Sequence, residues 1–355
     1  MLEQILSPEN LNSAYAKITQ NKGTSGVDGM TAEELPLFLE THGDALRKSI
    51  LTGIYKPQPV KAVKIPKSDG KFRTLGIPTA TDRFIQRAIV QILMPLYENT
   101  FSDTSYGFRA ERSIDDAAKK SLQYVNRGYD WTVDMDIEKF FDSVCREKLL
   151  EVLVRDIHDK RVLRLIVSYI NSDVVENGRR IHTSTGLHQG GPLSPLLANI
   201  MLNELDKELT SRGEFFVRYA DDMVIFCRNE VSARQALKHI TPYIEGNLLL
   251  RINSEKTSVA NAENINFLGY GFFKAPDGYR IKIHPDSIAR LKEKVISLAK
   301  HNESEKIQEY FAAWITHYRL ADINRFLYDS REWLTLSPQT TERLRNILLV
   351  QKKRV

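Results

Sequence analysis

Residues 215–227 read FFVRYADDMVIFC, two hydrophobic runs on either side of the adjacent acids Asp221 and Asp222. The two runs predict a pair of strands, and the acidic pair between them predicts a tight hairpin turn that projects both carboxylates at one edge of a sheet. Adjacent anions repel each other, and burying them costs free energy unless a cation binds. A solvated Asp-Asp pair in an ordinary turn is the alternative interpretation of this stretch.

A second acidic stretch, WTVDMDI at residues 131–137, alternates in polarity and predicts a further strand. Asp134 and Asp136 lie two residues apart, so both side chains point to one face of that strand. Acids within such an apolar strand are unexpected unless something binds them. The alternative is a strand that leaves the core with one exposed, acidic face.

Together the two stretches supply three or four carboxylates without a His or Cys beside them. An all-oxygen site of this kind favours Mg²⁺, which typically keeps waters and takes substrate phosphates as its remaining ligands. Two such ions about 3.5–4 Å apart would stabilise both the attacking and the leaving oxygen of an in-line phosphoryl transfer. The expected cofactor is therefore a pair of Mg²⁺ ions, with Mn²⁺ as a substitute.

Composition sets the size of the core and the expected partners. Of the 355 residues, 42% are hydrophobic, enough for one large core or about two to three subdomains. The net charge of +5 is mild, so nucleic-acid binding would depend on local clusters rather than on the sum. One such cluster occupies the tail, where Glu342 is the single acid among Arg343, Arg345, Lys352, Lys353 and Arg354.

Several classes of protein are disfavoured by the sequence. Cys145 and Cys227 lie far apart and form no Cys-x-x-Cys pair, which argues against a zinc knuckle, a zinc-stapled nuclease domain and a disulfide framework. This cysteine usage suits a reducing cytosol. The first residues do not resemble a signal peptide, and no stretch reaches the roughly 18 apolar residues that a membrane span needs. The expected location is the cytoplasm, without a membrane partner.

Hydrophobic periodicity predicts an α+β protein: helices first, then a mostly antiparallel sheet, then a helical tail. Ser7 and Pro8 predict the start of the first helix, and Thr31 with Glu34 predicts a capping box for the next. Two alternating runs around Asp69-Gly70 predict a β-hairpin. Further helices are predicted at 79–100, 114–127, 145–157, 160–171, 192–209 and 231–246, a hairpin through Val175 and Ile181, and short strands at 249–253, 267–273 and 279–284.

These stretches resemble the motifs of reverse transcriptases of the bacterial group II intron type. Six motifs occur in the family's order, and the resemblance covers roughly residues 5–320. They are the YxDD signature at 219–222, the first catalytic motif WTVDMDIEKFFD at 131–142, the template-and-nucleotide helix motif at 185–209, two fingers motifs, IPKSDGKFRTLGIP at 65–78 and SYGFRAERS at 105–113, and NKGTSGVDG of the N-terminal extension at 21–29.

The resemblance implies a right-hand polymerase fold and an RNA-directed DNA polymerase that extends a primer 3′-hydroxyl with dNTPs on an RNA template. The implied partners are this RNA template, a DNA or RNA primer, and a group II intron RNA or another structured RNA. The implied domains are an N-terminal extension at 1–60, fingers at 61–130, a palm at 131–280 with an insertion at about 145–185, and a thumb or remnant maturase region at 281–355.

The same resemblance assigns the catalytic positions. Asp136 and Asp221 would hold the metal ions together with Ile137, and Asp222 would support them. Asp134 would be a neighbour of these ligands rather than one of them. Lys256, in NSEKTS, matches a lysine that could protonate the leaving pyrophosphate; a plain surface lysine is the alternative.

The positions for nucleotide and template follow in the same way. Phe141 would be the steric gate that selects deoxynucleotides, with core packing as the alternative for Phe140 and Phe141. The nucleotide-binding positions would be Lys67, Arg73, Ile137, Phe141, Gln189 and Gly190, and the template or primer positions Arg109, Tyr219, Gly269 and Tyr270.

The chain also departs from the family's pattern. His188 and Ala110 stand where proline is usual, and Asp115 stands where histidine is common. The stretch 311–327 resembles a helix of intron maturases, with departures at Ala313, Thr316 and His317. Beyond Leu327 the maturase pattern is poorly kept, which favours a minimal polymerase. The alternative functions are a domesticated enzyme of antiviral defence or DNA repair, a splicing maturase with an idle polymerase site, and an RNA-dependent RNA polymerase, against which Phe141 argues.

Overall fold

The computed structural model describes residues 1–20, 23–66, 72–300, 304–322 and 324–326. These residues fall into two compact units. The first unit contains residues 1–110, 137–212 and 240–253, and the second contains residues 111–136, 213–239 and those from 254 onward. The helices are α1 (Leu2–Ile5), α2 (Pro8–Gln20), α3 (Leu35–Leu51), α4 (Ala80–Glu98), α5 (Ile114–Asn126), α6 (Phe140–Ser143), α7 (Arg146–Asp156), α8 (Lys160–Ile170), α9 (Leu193–Ser211), α10 (Glu230–Gly246), α11 (Pro285–Lys300) and α12 (Ser304–His317).

The strands lie between groups of these helices and most of the strand pairs are antiparallel, which confirms the predicted α+β class. They are β1 (Val60–Pro66), β2 (Phe72–Ile77), β3 (Trp131–Met135), β4 (Val174–Glu176), β5 (Arg179–Ile181), β6 (Phe215–Tyr219), β7 (Asp222–Cys227), β8 (Ser258–Asn261), β9 (Tyr270–Ala275) and β10 (Gly278–Ile283).

The first unit contains a four-stranded mixed sheet in the order β2-β1-β4-β5. β1 and β2 form the predicted hairpin, with Lys61 opposite Ile77, and the turn of this hairpin lies outside the described residues. β1 also pairs with β4 in parallel, starting with Val60 opposite Val174. A parallel pair requires a long connection, so no local signal in the sequence could have predicted it.

Helix α4 of the first unit packs against both α2 and α9. The Thr79 hydroxyl accepts a hydrogen bond from the Asp82 amide at 3.1 Å and so caps the first turn. Phe84, Ile89 and Leu93 are among its buried side chains. This helix therefore presents most of its faces to protein, and its polar side chains must find partners inside the unit or in its cavities.

Two predictions in the first unit are wrong in detail. The Thr31 amide donates to the Glu34 carboxylate at 2.8 Å, as in a capping box, but α3 begins only at Leu35, with Glu34 as its N-cap. The predicted strand at 249–253 does not form. Leu249 has a φ of +56°, which a strand cannot contain, and Ile252 makes an isolated bridge to Ile137.

The second unit contains a fully antiparallel sheet in the order β6-β7-β3-β8. β8 was not predicted, and it pairs with β3 so that Thr132 lies opposite Ala260. Helix α5 packs against β6, and the Tyr124 ring lies 5.1 Å from the ring of Phe215. Ser113 caps α5 as predicted. In the described parts of both units, no helix is long and apolar enough to cross a membrane.

Candidate active site

The predicted acidic hairpin forms in the second unit. β6 and β7 pair from Phe215 opposite Phe226 to Tyr219 opposite Asp222, which leaves Ala220 and Asp221 as the two residues of the turn. Ala220 has a φ of +59°, a conformation that strains a residue with a side chain. Arg218 is fully buried, and its Nη1 donates to the Ala220 carbonyl at 2.8 Å. A buried guanidinium therefore braces the strained turn, a role that the sequence did not predict.

The pairing of β3 with β7 brings the two acidic stretches together. Met135 lies opposite Met223, so Asp136, the next residue, comes level with Asp222. Asp134 lies opposite Val224, and directly opposed residues of antiparallel strands point to the same face. Asp134 and Asp222 are therefore diagonal neighbours on one face of the sheet.

The electrostatics of the cluster agree with this register. Asp222 is exposed by its accessible surface, yet desolvation by the surrounding protein, followed by the charges of Asp134 and Asp221, raises its pKa to about 7. Desolvation and the charge of Asp136 raise the pKa of Asp134 to about 6. Each carboxylate therefore opposes the ionisation of another, and Asp134 belongs to the cluster electrostatically.

Lys256 and Thr257 also contact the cluster. Lys256 Nζ lies 3.4 Å from Oδ2 of Asp136, and both side chains are more than a third exposed. The Asp136 amide donates to the Thr257 hydroxyl at 3.2 Å. Lys256 was predicted from the stretch NSEKTS. Thr257 was not predicted, and its position next to Lys256 is the only feature of the sequence that could have indicated it.

The donor chemistry of this cluster suits a hard divalent cation, because every side-chain donor is a carboxylate oxygen. Its ligand geometry is not formed: among the described residues, no three His, Cys, Asp or Glu side chains converge closely enough to hold a metal ion. Lys256 supplies the nearby positive charge instead, since it lowers the pKa of Asp222 and contacts Asp136. The residues thus fit a divalent cation in donor type and charge, and their side chains would have to rotate to coordinate it.

Four of the six predicted nucleotide positions meet in the first unit. Arg73, Phe141, Gln189 and Gly190 line one cavity of about 740 Å³. Nε of Arg73 donates to Oε1 of Gln189. Lys67, the remaining basic position of the fingers hairpin, lies outside the described residues.

Gly190 and Ile137 have backbone constraints of their own. Gly190 has a φ of +129°, and a Cβ there would lie 2.8 Å from the Gly76 carbonyl oxygen. Only glycine therefore allows this approach of the two backbones. Ile137 bridges Ile252 through its backbone, and its side chain is buried. A hydrocarbon side chain offers no ligand, so metal or nucleotide binding by Ile137 would have to use its main-chain carbonyl.

Phe140 and Phe141 are both buried, with their rings edge to face at 5.3 Å. Phe141 lines the 740 Å³ cavity, and Phe140 is not among the residues around it. Phe140 therefore serves core packing alone, whereas Phe141 both packs in the core and borders the cavity.

The predicted template and primer positions are mostly engaged within the protein. Arg109 is 6% exposed, pairs with Glu98 at 2.6 Å and donates to the Ser105 carbonyl at 2.7 Å. Tyr270 is 1% exposed and donates to the His317 carbonyl at 2.9 Å. Both side chains stabilise their own unit, and their contact with nucleic acid stays a prediction. Tyr219 is half-buried and pairs with Asp222 at the base of the acidic turn.

Gly269 precedes Tyr270 in a tight turn of the second unit and has a φ of +83°. A Cβ there would lie 2.3 Å from the Tyr318 hydroxyl oxygen and 3.0 Å from Ser287 Oγ. We expect Gly269→Ala to destabilise the protein by about 1–3 kcal/mol, since it combines backbone strain with a steric clash. Thermal and urea unfolding would measure this loss.

Gly213→Ala is the matched control for that variant. Gly213 has a φ of +73°, and nothing lies within 4 Å of its added Cβ. This variant should therefore show the backbone cost alone. Equal losses of stability in the two variants would contradict a role for the Tyr318 contact.

Comparison with known proteins identifies the family. The family described as reverse transcriptase (RNA-dependent DNA polymerase) matches residues 65–272. Protein YkfC of Escherichia coli K12 is 32% identical over 320 residues, which cover 79% of this chain and 84% of YkfC. The group II intron-encoded protein LtrA of Lactococcus lactis is 38% identical over 204 residues, which cover 57% of this chain and 34% of LtrA.

A solved structure shares the fold. The apo telomerase of Candida tropicalis, truncated from its C-terminal domain, superposes with a TM-score of 0.50 at 15% identity and covers 69% of this chain and 60% of that chain. The chain therefore belongs to the reverse transcriptase family, the RNA-directed DNA polymerases of right-hand fold, as a relative of the group II intron-encoded enzymes.

Proposed function

We propose that this protein extends a primer 3′-hydroxyl with dNTPs on an RNA template by a two-metal mechanism at the acidic cluster of the second unit. The observation that supports this most is the cluster itself. Four aspartates from two paired strands and their turn lie close together: after desolvation, the charges of Asp134, Asp221 and Asp136 raise the pKa of Asp222, and that of Asp136 raises the pKa of Asp134. Such repulsion opposes folding, and a bound cation would relieve it.

Reverse transcriptases use divalent metal ions, and Asp136 and Asp221 are the side chains that we propose to hold them, with the Ile137 carbonyl and with Asp222 in support. When bound, Mg²⁺ would supply electrostatic stabilisation to the attacking and leaving oxygens of the phosphoryl transfer. The domain boundaries given by the family resemblance are part of the same proposal.

Residues of the chain would do the rest of the chemistry. Lys256 would donate a proton from Nζ to the leaving pyrophosphate, and this atom already lies 3.4 Å from Oδ2 of Asp136 in the cluster. Arg73 would bind the triphosphate through its guanidinium, with Lys67 beside it in the fingers hairpin. Phe141 would bar a 2′-hydroxyl, while Gln189 and Gly190 would contact the nascent base pair.

A primer-extension assay tests this proposal. A labelled DNA primer on an RNA template would be incubated with dNTPs or with NTPs, over a series of Mg²⁺ and Mn²⁺ concentrations. We expect extension with dNTPs that requires the divalent ion and stops when it is chelated. Extension with NTPs at the same rate would overturn the assignment in favour of an RNA polymerase.

A splicing cofactor with an idle polymerase site is the second candidate, because LtrA is by name a group II intron-encoded protein. The intact acidic cluster favours the polymerase, since an RNA-binding cofactor gains nothing from mutually repelling carboxylates. Intron RNA sequence on both sides of the gene would support a mobile element. Its absence would support a domesticated role in antiviral defence or DNA repair.

A further inference from the structure

The end of β3 has hydrogen bonds that the pairing of strands does not supply. β3 and β8 pair as far as Asp134, which lies opposite Ser258. Two further residues in the same register would bring Asp136 level with Lys256, but residues 254–256 form a turn instead. The main chain of Asp136 therefore lies beyond the last paired residue of β8, and its amide and carbonyl need other partners on that side.

The side chain of Thr257 supplies both partners. Its hydroxyl accepts a hydrogen bond from the Asp136 amide at 3.2 Å and donates one to the Asp136 carbonyl at 3.4 Å. In an antiparallel sheet, the main chain of a residue on the next strand bonds to both of these groups. One hydroxyl group thus extends the pairing of β3 past the point where β8 begins.

Thr257 holds the main chain of Asp136 and leaves its carboxylate free to turn. The carboxylate is 37% exposed, and its Oδ2 lies 3.4 Å from Nζ of Lys256, a contact that a rotation of either side chain would break. Coordination of a cation by Asp136 requires such a rotation. It also requires that the backbone at Asp136 keep its place relative to the acidic turn, because the reach of the carboxylate is short.

The type of residue at position 257 suits this role. Thr257 is half-buried, and a β-branched side chain has few rotamers to choose from. Its hydroxyl therefore stays directed at Asp136 while the neighbouring Lys256 remains exposed and mobile.

We propose that Thr257 is a positioning residue for the cation site, which acts through the main chain of Asp136 to set where the Asp136 carboxylate can meet a divalent ion. This inference rests on the proposed function, because it takes Asp136 as a ligand. Groups that orient the ligands of a metal commonly change metal affinity or activity by about 10- to 100-fold when they are removed.

Thr257→Val is the main variant, because valine has nearly the shape of threonine and lacks the hydroxyl. Binding of Mn²⁺ to the protein without nucleic acid would be followed by the electron paramagnetic resonance signal of the free ion. We expect the Kd for Mn²⁺ to rise roughly tenfold, and the Mg²⁺ concentration that gives half-maximal primer extension to rise by a similar factor. Thr257→Ser keeps the hydroxyl and should restore most of the affinity.

Thr132→Val is the matched control from the same pair of strands. Thr132 lies fully buried in β3, four residues before Asp136, and its hydroxyl donates to the Ala260 carbonyl of β8 at 2.9 Å. Loss of this buried hydrogen bond should lower the melting temperature at least as much as Thr257→Val does. The Kd for Mn²⁺ should stay unchanged, because the main chain of Asp136 keeps both bonds to Thr257.

An equal rise of the Kd in Thr257→Val and Thr132→Val would assign the effect to a general loosening of the sheet and overturn the proposal. If Thr257→Val did not fold, Thr257→Ala and Thr257→Ser would be compared instead, and equal affinities for Mn²⁺ in these two would refute it. A wild-type protein that neither binds Mn²⁺ nor extends a primer would refute the proposed function. An active wild type beside a Thr257→Val variant with unchanged dependence on both ions would refute the positioning role alone.

Discussion

Primer extension should fall by roughly a thousandfold or more when Asp221 and Asp222 are both replaced by asparagine, because metal-ion stabilisation of several kcal/mol would be lost and each 1.4 kcal/mol is a factor of ten. Asparagine keeps the shape of each side chain and removes its charge. The Ala220 turn and its hydrogen bond from Arg218 need not change. Single-turnover extension of a DNA primer on an RNA template would measure the loss.

The same variant should be at least as stable as the wild type. The pKa of Asp222 is raised to about 7 in the folded protein, above its value of about 3.9 in the unfolded chain. The stability that this carboxyl group contributes is therefore fully present below about pH 4 and is lost as the pH rises through about 7. At pH 8, without divalent ions, asparagine should leave the melting temperature unchanged or raise it.

Asp277→Asn is the matched control, since Asp277 also lies in a hairpin turn of the second unit but is 65% exposed and pairs with Arg280 at 2.8 Å. This variant should extend primers like the wild type. If the Asp221/Asp222 variant were folded and still extended primers at the wild-type rate, the acidic cluster would not be the catalytic site.

The acidic hairpin could be predicted because its signals are local. Two hydrophobic runs and a polar pair fix the turn to within one residue, and the two-residue spacing of Asp134 and Asp136 fixes their common face. The register of β3 against β7 connects residues almost ninety positions apart in the sequence. This register places Asp134 diagonal to Asp222, and neither stretch of sequence alone predicts the register.

Burial explains why two predicted contacts with nucleic acid are not evident in the structure. Arg109 and Tyr270 lie in motifs that resemble those of the family, yet both side chains have partners inside their own units. A motif specifies which residue type stands at a position. At Arg109 that type is an arginine, which can form an ion pair with Glu98 as readily as it can bind a phosphate. Only the tertiary structure shows which partner is near.

The departures from the family's pattern have structural counterparts. His188, where proline is usual, is half-buried, and its Nε2 lies 2.8 Å from the Ser172 carbonyl. Burial lowers the pKa of His188, which favours its neutral form. Asp115, where histidine is common, pairs with Arg319 at 2.5 Å. His188 and Asp115 thus each make a contact within their own unit that could not have been predicted from the motif.

The second large effect is expected at Phe141, where a smaller side chain should admit ribonucleotides. Phe141→Val would enlarge the 740 Å³ cavity at the position proposed to lie under the sugar. Changes of pocket size by a few methylene groups are worth about 1–3 kcal/mol, so the preference for dNTPs over NTPs should fall roughly 10- to 200-fold. The ratio of kcat/KM for a matched dNTP and NTP would measure it.

Phe140→Val is the control that distinguishes sugar selection by Phe141 from a general effect of core packing. Phe140 is as deeply buried as Phe141 and contacts its ring at 5.3 Å, so both variants remove similar apolar volume from one cluster. The control should lose stability and overall rate without a change in sugar preference, because its ring does not border the cavity. If both variants lowered the preference equally, discrimination would depend on the rigidity of the cluster. If neither did, sugar selection would belong to another residue, and the case against an RNA polymerase would lose its main support in the sequence.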